Sequence, residues 1–109
     1  MERLFIYGSL QPGGPNEHVL ADVDGEWEPA FVKGRLVEAG WGASMGYPGL
    51  VIDEDGTKVH GHVLSSPGLA AVWPALDEFE GEEYERVTAT VTLRGGGTVD
   101  AAVYALRSR

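Results

Sequence analysis

The chain has no cysteine. That absence excludes disulfide scaffolds, thiol nucleophiles and thiolate metal sites together, and it permits a cytosolic address. Basic residues are scarce: 8 Lys and Arg stand against 17 Asp and Glu, for a formal net charge of −9 at pH 7. Such a balance disfavours non-specific binding to nucleic acid or to an anionic membrane, and it leaves any anionic ligand to be held by local dipoles or a few specific groups. Long apolar runs are also missing. Met1-Glu2-Arg3 leads into the short stretch Leu4-Phe5-Ile6-Tyr7, far below the length of a signal-peptide core or a spanning helix. No internal repeat, linker or low-complexity tract interrupts the 109 residues. A single domain, 1–109, with one core and one pocket is therefore expected, with no room for a separate cofactor domain. These properties predict a soluble, cytoplasmic protein with no nucleic-acid or membrane partner.

Leu4-Phe5-Ile6-Tyr7 closed by Gly8 has the pattern of a buried strand ending in a tight turn. Gln11 to Pro15 is rich in glycine and proline, and Asn16 is a candidate cap for a short helix through Leu20. Ala30 to Ala39 reads as a strand bent or bulged at Gly34. Tyr47-Pro48-Gly49 turns the chain into Leu50-Val51-Ile52, and Asp55-Gly56 signals a two-residue hairpin returning through Lys58 to Leu64. Pro67 to Glu80 is the main helix, with Ser65-Ser66 as candidate caps, Gly81 as terminator, and either a kink or a second start at Pro74. Tyr84 to Leu93 alternates as a strand, and Gly95-Gly96-Gly97 turns it into a last strand from Val99 to Leu106. About six strands and one helix, mostly joined by short turns, predict an α+β fold whose largely antiparallel sheet curls toward a barrel.

At about 100° per residue, Leu69, Val72, Trp73, Leu76 and Phe79 form one apolar stripe on the helix, and Glu80 falls about 20° from Leu69, inside it. Asp77 and Glu78 fall outside the stripe, where solvated charges belong. Burial disfavours an ionised carboxylate, so Glu80 is expected to have a raised pKa, as general acid/base work near pH 7 requires. The alternative is a helix-end Glu that turns to water or pairs with Arg86. The second constellation is Tyr7-Gly8-Ser9-Leu10. Directly after a strand, a glycine lets successive backbone N–H groups converge on a carboxylate or a developing oxyanion without a positive side chain. The same residues also suit an ordinary strand-to-loop turn.

Together these segments resemble the gamma-glutamyl cyclotransferase superfamily, particularly its short bacterial members and the gamma-glutamylamine cyclotransferases. The resemblance rests on Phe5-Ile6-Tyr7-Gly8-Ser9-Leu10, Tyr47-Pro48-Gly49-Leu50-Val51, Leu76-Asp77-Glu78-Phe79-Glu80-Gly81 with Tyr84-Glu85-Arg86, and Val103-Tyr104. It implies a small mixed, mostly antiparallel β-barrel with one main helix. The implied reaction releases a γ-glutamyl group as 5-oxoproline plus a free amine, with no metal or cofactor. Glu80 matches the family's catalytic Glu, and Tyr7, Gly8, Ser9 and Leu10 match its substrate-holding turn. Ser9 stands where close relatives often have Thr, and the tail that some relatives carry after the last strand is not seen.

Other candidates are weaker. His60 and His62 share one face of a strand as a possible ligand pair, without a third ligand at motif-like spacing. Ser9 has no activating base identifiable from spacing, and His18 reads as a surface residue. Arg86 fits a structural pair with an acidic neighbour better than a substrate contact. Trp73 reads as core, Trp27 and Trp41 as cover for a barrel edge, and Gly40 to Gly46 as a possible lid. A non-catalytic small-molecule-binding or regulatory module is the competing reading of function, and a scaffold associating through a strand edge is a third.

Overall fold

A computed structural model describes residues 2–8, 20, 23–37 and 49–106. Six strands and one helix occur in the order β1 (Glu2–Ile6), β2 (Glu26–Val37), β3 (Gly49–Ile52), β4 (Thr57–Ser66), α1 (Leu69–Glu80), β5 (Tyr84–Leu93) and β6 (Thr98–Leu106). The sheet runs β3-β2-β4-β1-β6-β5, and a further pairing of β2 with β5 closes five of the strands into a barrel. Every pairing is antiparallel except β1 with β6, where Leu4 and Phe5 lie opposite Ala102 and Val103. The barrel is therefore mixed and mostly antiparallel, as expected.

The unbroken apolar run at the start of the chain follows from burial on both faces of β1. Phe5 points into the barrel with Ala30, Val32, Val59, Val63, Val91, Ala101 and Val103. Leu4 and Ile6, on the opposite face, pack with Leu64, Leu69, Leu76, Tyr84 and Tyr104 beneath the helix. Leu69 and Leu76 are fully buried and hold α1 against the barrel, each contributing about 1.5–3 kcal/mol by removal from water. Pro74 neither ends α1 nor starts a new helix: a single helical span runs through it. Apolar anchors on both sides of the proline, Leu69 and Leu76, bind one surface and offset the missing backbone bond. The expected caps are also displaced. Ser65 and Ser66 belong to β4, and Gly68 occupies the N-cap position. The Ser66 hydroxyl donates to the carbonyl of Asp24 and accepts the Gly68 N–H at 3.0 Å, so it shapes the entry to the helix from the last residue of β4.

The turn at Asp55-Gly56 corrects a second expectation. Gly56 N–H donates to the Asp53 carbonyl at 2.9 Å, but β3 and β4 do not pair with each other. They flank β2 on opposite sides, with Gly34 opposite both Ile52 and Thr57. A two-residue hairpin of type I′ needs left-handed backbone at both central residues, and the only positive-φ residues among those described are Gly81, Gly96 and Gly97. Asp53 at the first position and Gly56 at the fourth instead suit an ordinary four-residue turn. It crosses β2 at Gly34, where a Cβ on Gly56 would meet the Gly34 backbone and one on Gly34 would meet the Val51 carbonyl. The Gly95-Gly96-Gly97 turn does make a hairpin, closed by Leu93 N–H to Gly97 O and Gly96 N–H to Leu93 O, both 3.0 Å. The candidate helix from Asn16 lies outside the described residues except for Leu20, which is buried. No helix among the described residues is long and apolar enough to cross a membrane.

Candidate active site

Tyr7 follows β1 and turns into the barrel end beside Phe5, with ring centroids 6.3 Å apart. Its hydroxyl donates to the Tyr104 carbonyl at 2.8 Å and accepts the Leu50 N–H at 3.0 Å. One phenol thus ties the exit of β1 to β6 and β3. Burial pushes its pKa well above the usual value; the Leu50 N–H opposes that shift, and the charges of Glu80 and Tyr84 add to it. Gly8 comes next and does not use left-handed backbone. Among the described residues nothing lies within 4 Å of the place its Cβ would take. Ser9 and Leu10 lie outside the described residues, as do His18, Trp41, Tyr47, Pro48 and the 40–46 segment.

Glu80 is the last residue of α1 and is partly buried; Gly81 then breaks the helix with φ 81°, and the Gly81 N–H donates to the Asp77 carbonyl at 3.1 Å. Burial raises the Glu80 carboxyl from its ordinary 4.5 to about 7. The charge of Glu80 in turn bears on the hydroxyls of both Tyr7 and Tyr104. The effect is one-sided because the phenols are neutral over the range in which the carboxyl titrates. Tyr7 and Glu80, far apart in sequence, are therefore electrostatic neighbours.

A network that the sequence reading missed supports the helix end. Tyr104 is held above its ordinary pKa chiefly by burial and by its hydrogen bond to Asp77, with Arg86 opposing. Its hydroxyl donates to Asp77 Oδ1 at 2.7 Å, and Arg86 Nη1 lies 3.6 Å from the same oxygen. The Arg86 guanidinium also sits 4.6 Å from the centroid of the Trp73 ring. Asp77 is thus an exposed charge with two partners on the β5–β6 hairpin, where a purely solvated residue was expected. Arg86 pairs with an acidic neighbour, as expected, and that neighbour is Asp77. The signal was available: pairing the two strands about the triple glycine puts Arg86 opposite Tyr104, so both side chains emerge on one face. A depression of about 550 Å³ opens here, lined by Asp77, Gly81, Tyr84, Arg86 and Tyr104 among others.

The remaining candidates lie elsewhere. His60 packs against Phe31 and His62 against Trp27, with centroids 5.8 and 6.4 Å apart, on the outside of the barrel. Among the described residues no group of three or more His, Asp or Glu is arranged to hold a metal ion.

Residues 4–109 match the family model described as gamma-glutamyl cyclotransferase, AIG2-like. Among solved structures, the chain is similar to an AIG2-like protein of Mus musculus, with 25% identity and a TM-score of 0.77 over 100% of this chain and 79% of that one. It is similar to YkqA from Bacillus subtilis, with 28% identity and a TM-score of 0.74, over 97% of this chain and only 36% of that one. It thus spans about a third of YkqA. An Arabidopsis thaliana protein solved in solution is 32% identical, with a TM-score of 0.68 over 96% of this chain and 68% of that one. No curated protein matches the chain significantly.

Proposed function

The chain belongs to the gamma-glutamyl cyclotransferase, AIG2-like family, and from that premise we propose that it releases 5-oxoproline and a free amine from a γ-glutamyl amide in the cytoplasm. Glu80 is the acid/base residue in this reading. Tyr7, Gly8, Ser9 and Leu10 hold the γ-glutamyl half of the substrate. The observation that carries the reading is the Glu80 carboxyl itself, at the end of α1, raised to about 7 by burial and electrostatically close to Tyr7. Gly8 suits this role because a residue without a side chain lets a ligand approach its main chain.

The substrate's α-amino group attacks its own γ-carbonyl. Glu80 takes a proton from the ammonium and the freed amine closes the five-membered ring; the attacking nitrogen then gives up a second proton, and as the original amide C–N bond breaks both protons pass by way of Glu80 to the departing nitrogen, which leaves as an ammonium while the ring keeps one N–H. Nucleophile and electrophile belong to one molecule, so holding the chain folded supplies most of the advantage and the step needs neither metal nor organic cofactor. Backbone N–H groups at the turn after β1 are suited to the substrate carboxylate or to the oxyanion. A base must start ionised, so kcat/KM is expected to rise with pH through about 7 and then level.

The test is 5-oxoproline release, read by mass spectrometry, from a panel of γ-glutamyl amides with the native protein and with Glu80→Gln. Product from the native protein alone supports both the reaction and the role of Glu80, and the preferred amide identifies the leaving group. Product from neither, with γ-glutamyl ligands still bound, replaces this reading with a non-catalytic binding module.

A further inference from the structure

We propose that the outward face of the β2–β4 ladder around Phe31 is a docking surface for an acidic peptide segment of a partner protein. The segment presents two carboxylates about four residues apart, with an apolar side chain midway between them.

Alternate residues of β2 and β4 enter the barrel, where Ala30, Val32, Val59 and Val63 are buried. The residues between them point outward. On that face the register sets Lys33 opposite Lys58 and Phe31 opposite His60, and Lys33, Lys58 and His60 are exposed. Lys58 Nζ lies 4.8 Å from the centroid of the Phe31 ring, and the His60 ring centroid is 5.8 Å from it. Arg94, also exposed, joins them from the end of β5. Its N–H donates to the Pro29 carbonyl at 2.9 Å, and with Pro29, Phe31 and His60 it lines a depression of about 490 Å³.

The charges favour an anionic occupant. Lys33 and Lys58 are the only lysines of the chain, and like charges directly opposite on a ladder repel one another. A carboxylate placed between them relieves that repulsion. Arg35 and Arg86 already have Asp53 and Asp77 as partners. Glu54 lines a second depression that Phe31 and Lys33 also line, and it is the one carboxylate among the described residues lining either.

The spacing favours a short extended segment. From Lys33 to Pro29, where Arg94 is tied, the strand advances four residues, or about 13 Å, and Phe31 is the midpoint. Side chains at i, i+2 and i+4 of an extended peptide lie on one face at that spacing. A segment lying along β2 thus sets a carboxylate at each end and its apolar side chain on the ring. A long polyanion such as nucleic acid would run off this face and meet a protein of net charge −9. The candidate active site is remote from the patch along the chain of β5, since Tyr84 begins that strand and Arg94 follows its end.

The experiment records amide NMR spectra of the full-length protein titrated with a synthetic peptide built on Glu-Ser-Leu-Ser-Glu. Shifts are expected to cluster at Phe31, Lys33, Lys58, His60 and Arg94, to leave Tyr84 and Tyr104 unmoved, and to weaken as salt is added. Lys58→Glu combined with Arg94→Glu should weaken binding by about tenfold or more. The single changes Lys58→Gln and Arg94→Gln, each at an exposed position, carry the test if the double variant does not fold. Replacing the peptide's leucine by serine should weaken binding by about fivefold, because the contact with Phe31 is lost. Shifts centred on the helix end, equal binding by the charge variants, or equal binding by the all-serine peptide would each overturn the proposal. Tighter binding of a single-stranded oligonucleotide of the same charge would assign the face to nucleic acid and overturn it equally.

Discussion

Replacing Glu80 by Gln removes the ionisable group while keeping its shape, so the difference in stability between the two proteins reports directly on the burial of that carboxylate. The sign follows from linkage. A carboxyl whose folded pKa is raised holds its proton longer in the folded state than in the unfolded one. Its contribution is most favourable below the ordinary value of 4.5 and is lost as pH rises through the folded value of about 7. Working from those two values, ionised Glu80 destabilises the fold by about 0.8 kcal/mol at pH 5 and by about 3.4 kcal/mol at pH 8.5. Most other charges are common to both proteins and cancel in the difference. Glu80→Gln should therefore gain about 2.5 kcal/mol on the native protein between pH 5 and pH 8.5, with the gain concentrated below pH 7.5. Urea unfolding at half-unit intervals, with ΔG in water for both proteins, measures this. Parallel curves over that range would refute the reasoning, because they would place Glu80 at the same pKa folded and unfolded, and with it would go the electrostatic case for an acid/base residue.

Tyr7→Phe should destabilise the protein by about 2 kcal/mol, since it leaves the Leu50 N–H and the Tyr104 carbonyl without the hydroxyl that joins them; a loss under about 0.5 kcal/mol in urea unfolding would show that those groups find water instead. Gly61→Ala should be more damaging, at about 3 kcal/mol or complete loss of cooperative folding. A Cβ there meets the Ile6 carbonyl and comes within 2.9 Å of Phe5 Cζ, and β1 lies between β4 and β6 with no room to retreat. A melting temperature within a degree or two of the native value would contradict that packing.

The legible parts of this fold were those in which one local rule acted without competition. The β1 run, the alternation of β5 and the glycine hairpin after it follow from burial on one or both faces and from left-handed φ at Gly96 and Gly97. The same is true of the stripe that sets Glu80 beside Leu76. Asp55-Gly56 misled because one dipeptide serves several turn types. What decides among them is whether the flanking strands pair, and that depends on β2, some twenty residues earlier. Of the two readings offered at Pro74, the second helix start fails because the local cost of the proline is offset by anchors whose burial only the barrel supplies. Glu80 and Tyr7 are candidates from pattern and resemblance, whereas the partnership of Asp77 with Tyr104 and Arg86 needed the register of a hairpin and the docking of a helix over it. Polar contacts between elements have no periodicity of their own and emerge only once those elements are placed.

The closure of the barrel has a consequence for its motions. Ala30 and Phe31 pair with Leu93 and Thr92 along the seam between β2 and β5, against a nine-pair ladder between β5 and β6. The seam is one of two short joins in the cylinder, the other being the pairing of Leu4 and Phe5 with Ala102 and Val103 between β1 and β6, and it is the one that closes the ring. When it parts, the cylinder becomes a curled sheet whose order from β2 through β4, β1 and β6 to β5 is intact. Strand β1 with Tyr7 and the β5–β6 hairpin that braces the end of α1 are then joined by the two β1–β6 pairs and by the Tyr7 hydroxyl on the Tyr104 carbonyl, a bond that the seam lacks. Amide exchange along the seam can thus be fast while the β5–β6 hairpin beside the end of α1 stays protected, since local opening follows a short joint and leaves the nine-pair ladders closed.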